Sequence, residues 1–191
     1  KTLFKFAVNL LIKIVSDSMK TKMIFNVLAF AALMTFSACT GLVGIDGNGN
    51  VTEEKRDVSN FDQVEVGGSY QVFLTQGDKE GLTIEADENL LPYIKTRVRG
   101  GRLIISSSET IGRARKLNLH IQFRDLNKLD LSGACDLVAK ELLHFSSLEI
   151  ESSGASEIDL ELEAGDLRMD CSGASEIDLS GSSTFCKTQI S

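Results

Sequence analysis

The chain has no tryptophan, a single proline and only two histidines among 191 residues, and its four cysteines show no CxxC or Cys/His spacing. With aromatic residues at 6%, the composition suits stacked aliphatic ladders better than a ring-lined pocket. The missing ligand spacing excludes the usual structural zinc patterns. His120 and His144 have no nucleophile at motif distance, so no catalytic residue is assigned, the chain is read as a non-enzyme, and no cofactor is expected. A basic excess is also lacking. The formal charge is -7, and residues 1–38 hold five of the 20 basic groups but one of the 27 acids, leaving a remainder at -11. A surface that acidic repels nucleic acid, which is excluded as a partner. The apolar run of 13 residues from Ile24 to Phe36, interrupted by Asn26 and Thr35, falls short of the roughly 20 that a membrane-spanning helix takes.

What the chain does have is repetition. SGASEIDL at Ser153 to Leu160 returns unchanged at Ser172 to Leu179, 19 positions later, and a looser copy, SGACDLVA, stands at Ser132 to Ala139, 21 positions upstream of the first. Recurrence at a fixed period means stacked structural units. Aligned on the octapeptide, Leu148 lies over Leu167, Ile150 over Met169, Ile158 over Ile177 and Leu160 over Leu179, giving inward aliphatic rows on rungs spaced about 4.8 Å apart. Gly133, Gly154 and Gly173 fall at the corner, where a Cβ would obstruct the turn or a positive φ is needed.

The N-terminal third reads as an address. Residues 1–18 precede the first Met and are taken as an upstream extension. Residues 19–38 carry a basic start (Lys20, Lys22), the short apolar run and small residues before Cys39, the pattern of a signal peptide. FSAC ending at Cys39 resembles a bacterial lipobox, with Phe36 in place of the usual Leu. The resemblance implies acylation of Cys39 and a membrane partner reached through that N-terminal lipid anchor. Residues 39–50, rich in Gly and Asn, are expected to form a flexible tether.

From Val51 on, the apolar period is two. Val64 and Val66, then Tyr70, Val72 and Leu74, then Leu82, Ile84 and Ala86, then Leu117, Leu119, Ile121 and Phe123 each alternate with outward residues, His120 among them. Val98 to Ile105 reads as a hairpin about Gly100 and Gly101. Asp87 to Ile94, with Pro92, reads as a turn, and His144 is placed in a turn-like segment.

RDVSNFDQVEVGGSYQVFLTQGD (Arg56 to Asp78), LTIEADENLLPYI (Leu82 to Ile94), GGRLIIS (Gly100 to Ser106) and the SGA repeats together resemble the putative auto-transporter adhesin head GIN domain family, formerly a domain of unknown function and common in Bacteroidetes lipoproteins. The resemblance covers about residues 51–191. It implies an all-β fold, a right-handed parallel β-helix or β-solenoid with coils of about 19–21 residues, on the cell envelope. It transfers no catalytic or binding residue.

The acids of the repeat form columns: Glu157 over Glu176, with Asp136 extending the row, and Asp159 over Asp178. Carboxylates about 4.8 Å apart repel by roughly 1 kcal/mol even in water, which makes Glu157, Asp159, Glu176 and Asp178 candidate Ca²⁺ ligands. The calcium-repeat pattern GGxGxDxUx is absent, however, and a solvated acidic face is the plainer reading. Cys135 falls in the row of Ser156 and Ser175, Cys171 in that of Ser152, and Cys186 in that of Leu148 and Leu167. Cys135 and Cys171 are two rungs apart, about 9.6 Å against a Cα limit of roughly 7 Å for a disulfide. All three are therefore expected as small, buried, free thiols. Ser191 stands where the next SGA would begin, so the chain is expected to stop inside a repeat. The functional expectation is a non-catalytic, envelope-anchored lipoprotein at the outer membrane or cell surface whose solenoid meets a surface glycan or protein. The alternatives are a structural envelope protein and a carbohydrate-active β-helix enzyme.

Overall fold

The computed structural model describes residues 44–190. The extension at 1–18, the leader at 19–38 and Cys39 lie outside the described residues. The alternating stretches become strands: β1 (Val51–Arg56), β2 (Gln63–Gly68), β3 (Gln71–Gln76), β4 (Gly81–Asp87), β5 (Ile94–Arg99), β6 (Arg102–Ser107), β7 (Leu117–Phe123), β8 (Lys128–Gly133), β9 (Asp136–Ala139), β10 (Leu143–Gly154), β11 (Glu157–Gly173) and β12 (Glu176–Ile190). Pro92 sits in a single 3-10 turn, Leu91–Tyr93, where its fixed φ is tolerated and its missing N–H costs nothing. The fold is all-β, a single twelve-stranded sheet curled into an open half-barrel.

Two parallel ladders organise it. In the first, β6, β2, β8 and the C-terminal parts of β10, β11 and β12 lie side by side. In the second, β7, β3, β9 and the N-terminal parts of β11 and β12 do the same. The inward rows anticipated from the octapeptide stand in register: Leu148 with Leu167, Ile150 with Met169, Ile158 with Ile177 and Leu160 with Leu179. Leu129, Leu131, Leu137, Ile150 and Ile158 are fully buried along these rows. Burying each such side chain contributes roughly 1.5–3 kcal/mol. Antiparallel pairing is confined to the first half of the domain, where β4 joins β1 to β7 and where β5 and β6 form the expected hairpin.

The corner between the ladders is a column of four glycines, Gly68, Gly133, Gly154 and Gly173, paired in sequence along the first ladder. Each has a positive φ, from 93° to 135°. A Cβ on Gly133, Gly154 or Gly173 would collide with the carbonyl oxygen of the glycine one rung before it. That same carbonyl accepts the N–H of the following residue, Ala134, Ala155 or Ala174, at 2.8–2.9 Å. The Ser-Gly-Ala signature is thus the local rule for turning the corner. Gly68 belongs to the column although its sequence context is Gly-Gly-Ser.

The topology departs from a simple succession of coils. β6 and β8 are consecutive in their ladder's chain order, yet β2 lies between them, and β3 likewise separates β7 from β9. The earliest rung is therefore interleaved between two later ones, and residues 124–127 must step over it. Strict alternation tells which residues face inward and leaves the neighbouring strand undetermined.

Three other expectations are corrected. Residues 44–50 of the expected tether are held on the domain: Ile45 N–H donates to Thr110 O at 2.8 Å, Gly112 N–H to Ile45 O at 2.9 Å, and Gly47 N–H to Arg113 O at 2.7 Å. Asp46 accepts the Arg113 backbone N–H at 2.8 Å and its guanidinium at 3.1 Å. Irregular backbone that finds this many partners is ordered without any apolar periodicity. Cys135 and Cys171 are buried and free as anticipated, but Cys186 is free and exposed. It continues the Leu148–Leu167 row onto β12, which among the described residues has a neighbour on one side alone. His144 lies in β10 and not in a turn. Its backbone pairs with the Gln76 side chain, whose Oε1 accepts the His144 N–H and whose Nε2 donates to the His144 carbonyl, both at 2.8 Å.

Candidate functional site

Because side chains alternate, each ladder turns one set of residues outward as columns. On the first ladder the outward column Arg102, Gln63, Lys128, Glu149, Arg168, Lys187 runs beside a second, Ile104, Glu65, Asp130, Glu151, Asp170, Gln189. The two are stitched by ion pairs, Arg102 to Glu65 at 3.0 Å and Lys128 to Glu151 at 2.5 Å, with Glu149 at 3.7 Å from Lys128. The hydrogen bond to Glu151 pushes the Lys128 ammonium up. Asp130 has no such partner. Burial, then the Glu151 and Glu65 carboxylates in register on either side, hold its carboxyl above the ordinary value.

The second ladder presents the carboxylate columns. Asp136, Glu157 and Glu176 stand in register, as do Asp159 and Asp178, and all five are exposed. The geometry thus brings the Ca²⁺ candidates Glu157, Asp159, Glu176 and Asp178 onto one face. Among the described residues, no three His, Cys, Asp or Glu side chains converge so as to hold a metal ion. The arrangement is an acidic, water-facing surface.

Toward β4 the same face changes character. Phe73 and His120, cross-strand neighbours on β3 and β7, stack with centroids 4.8 Å apart and planes within 10°. Beside them Glu85 is clamped by Lys116 at 2.6 Å and Asn118 at 2.9 Å, with His120 Nε2 at 3.9 Å. The Lys116 hydrogen bond, outweighing burial, holds the Glu85 carboxyl below its ordinary value. Sequence reasoning placed His120 outward without finding its partner. The available signal was the shared central outward position of VFL (Val72 to Leu74) and LHI (Leu119 to Ile121).

His144, the other histidine, is exposed, with Nδ1 3.3 Å from Glu163 Oε2 on the adjacent strand. Burial pushes the Cys135 and Cys171 thiols up, so both stay protonated and neither is an activated nucleophile. No helix among the described residues is long and apolar enough to cross a membrane.

The comparisons with known proteins bear on this architecture. The family model described as "Putative auto-transporter adhesin, head GIN domain" matches residues 60–191. The chain belongs to the GIN-domain family. Two crystal structures from Parabacteroides distasonis resemble this GIN domain. One, described as a putative lipid binding protein, is 24% identical with a TM-score of 0.56, over 73% of this chain and 70% of the other. The second, described as a putative adhesin, is 19% identical with a TM-score of 0.59, over 77% and 69%. At these identities the likeness concerns the fold. No curated protein matches the chain significantly. The family description makes this GIN domain an adhesin-like domain and points to the cell surface or envelope.

Proposed function

We propose that this chain is an envelope-anchored lipoprotein whose stacked rungs form a right-handed parallel β-solenoid acting as a non-catalytic interaction module. Acylated Cys39 holds it to the outer membrane or cell surface, and its partner is a surface glycan or protein met by a flat face. The observation that carries the reading is the outward columns. Register-locked ladders set outward side chains at every strand spacing, about 4.8 Å, and on the second ladder repeat a carboxylate there, which suits an extended ligand lying along a face. The buried thiols and the regularly repeated acids lack the converging nucleophile, base and orienting group of an enzyme site.

Two experiments test it. Metabolic labelling with an alkynyl fatty acid marks the wild type and not Cys39→Ser, which also leaves the membrane fraction; an unlabelled wild type overturns the anchor. Glycan and matrix-protein arrays probed with the full chain give specific hits if the module is adhesive. Uniformly null arrays favour the structural envelope role instead.

A further inference from the structure

The Phe73–His120 pair is unlike the rest of its face. The neighbouring outward positions of this ladder hold carboxylates, amides or short side chains, whereas here two rings lie nearly parallel at 4.8 Å, Phe73 half-buried and His120 exposed. In register beyond Phe73 stands Val138, and beyond His120 stands Thr83, both too short to cover a ring. The rings border a concavity that also takes in Glu85, Asn118, Val138 and Lys140.

We propose that this concavity binds one neutral pyranose unit of a glycan, with an outer ring face of the Phe73–His120 stack, the face its partner ring does not cover, as the platform. The proposal rests on the adhesin-like reading above and names its ligand class. An aromatic face offers negative potential to the C–H groups of a sugar whose hydrogens are gathered on one side, as in a β-galactoside or β-glucoside. Hydroxyl groups at the ring's rim need both donors and acceptors. Glu85 accepts, and Asn118 and Lys116 retain N–H groups beyond those they give to Glu85. These groups are positioned before any ligand arrives, which lowers the ordering cost of binding. The charge pattern selects against anionic sugars. The lining acids Glu85 and Glu141 balance Lys116 and Lys140, and Asp136 and Asp159 stand one and two rungs beyond Phe73 on the same face. A purely apolar ligand would leave the Glu85 cluster unused.

The test is saturation-transfer NMR and titration of the full chain with methyl β-galactoside, methyl β-glucoside, lactose and, as an anionic counterpart, 3′-sialyllactose. At least one neutral glycoside binds, sialyllactose binds more weakly than lactose, and Phe73→Ala and His120→Ala each weaken binding about tenfold. Phe73→Tyr stays within about threefold. Thermal unfolding accompanies each variant, and Phe73→Leu, which keeps apolar volume without a ring, replaces Phe73→Ala if the latter does not fold. Absence of binding by every neutral glycoside overturns the proposal. So does binding that Phe73 and His120 substitutions leave unchanged, and in that case glycan recognition elsewhere on the chain still stands. Tighter binding of sialyllactose than lactose overturns the neutral-sugar assignment. Hits on the matrix-protein array persist or fail independently of all three results.

Discussion

At Gly154 the backbone holds φ at +113°, and a methyl group would run into the carbonyl of Gly133 on the neighbouring rung. Gly154→Ala therefore combines left-handed strain with a backbone collision and should lower stability by roughly 1–3 kcal/mol in urea denaturation. Gly49→Ala is the control, since φ there is +80° with nothing within 4 Å of the added carbon; it should cost only about 1 kcal/mol. Asp130 supplies a prediction of opposite sign. Flanked in register by Glu65 and Glu151, its carboxyl titrates above the usual Asp value, so the folded state binds a proton more readily than the unfolded state. Its unfavourable contribution is complete above the raised pKa and fades as pH falls toward 3.8. Asp130→Asn should gain on the order of 0.5–1 kcal/mol at neutral pH, with the gain shrinking in acid, as read from denaturation curves between neutral and acid pH. The corner glycines of the SGA copies were legible because an octapeptide repeated verbatim fixes its own register. Gly68 was not, because its flanking residues share only the glycine with those copies.

The element scale shows where local sequence stops being informative. Alternation identified β2, β3, β4, β6 and β7 with their inward residues, including the hairpin at Gly100 and Gly101, since a period of two needs no knowledge of partners, whereas β1 carries no apolar row to reveal it. The 44–50 segment offered no period, and its order comes from hydrogen bonds to residues 88–89 and 110–113 that no local pattern announces. Asp46 is its main side-chain anchor, with its carboxyl held below the ordinary value first by the Arg113 backbone N–H and then by the guanidinium. That contribution is present above the usual Asp range and lost as pH falls through the lowered pKa. Asp46→Ala should raise amide exchange at Gly47 and Gly112 while leaving exchange in β8 to β11 unchanged, measured by hydrogen-exchange NMR. Gln76 is a second anchor of this kind, its side-chain amide standing in for a strand against His144. Gln76→Ala should cost about 1–2 kcal/mol in urea denaturation, since it loses both bonds to His144 and a third from Nε2 to the Arg124 carbonyl. The Phe73–His120 pair was half legible: each residue's outward aspect followed from its strand, but their contact depends on β3 meeting β7.

The whole molecule carries the consequence of interleaving. β2 and β3 must lodge between strands whose register partners come 39 to 65 residues later, so the core closes only after long loops have formed. Refolding monitored by stopped-flow should accordingly fall in the millisecond-to-second range typical of non-local β topologies. For function, the same closure makes the outward columns a rigid display in which neighbouring residues come from distant parts of the sequence. The central claim is that recognition happens on these faces. It is tested most directly by repeating the glycan and matrix-protein arrays with two multiple variants of unchanged thermal stability, one replacing Arg102, Lys128, Arg168 and Lys187 on the first face, the other Phe73, His120, Glu157 and Asp159 on the second. The account predicts that one of the two abolishes the wild-type hits while the other retains them. Hits that survive both variants would contradict it.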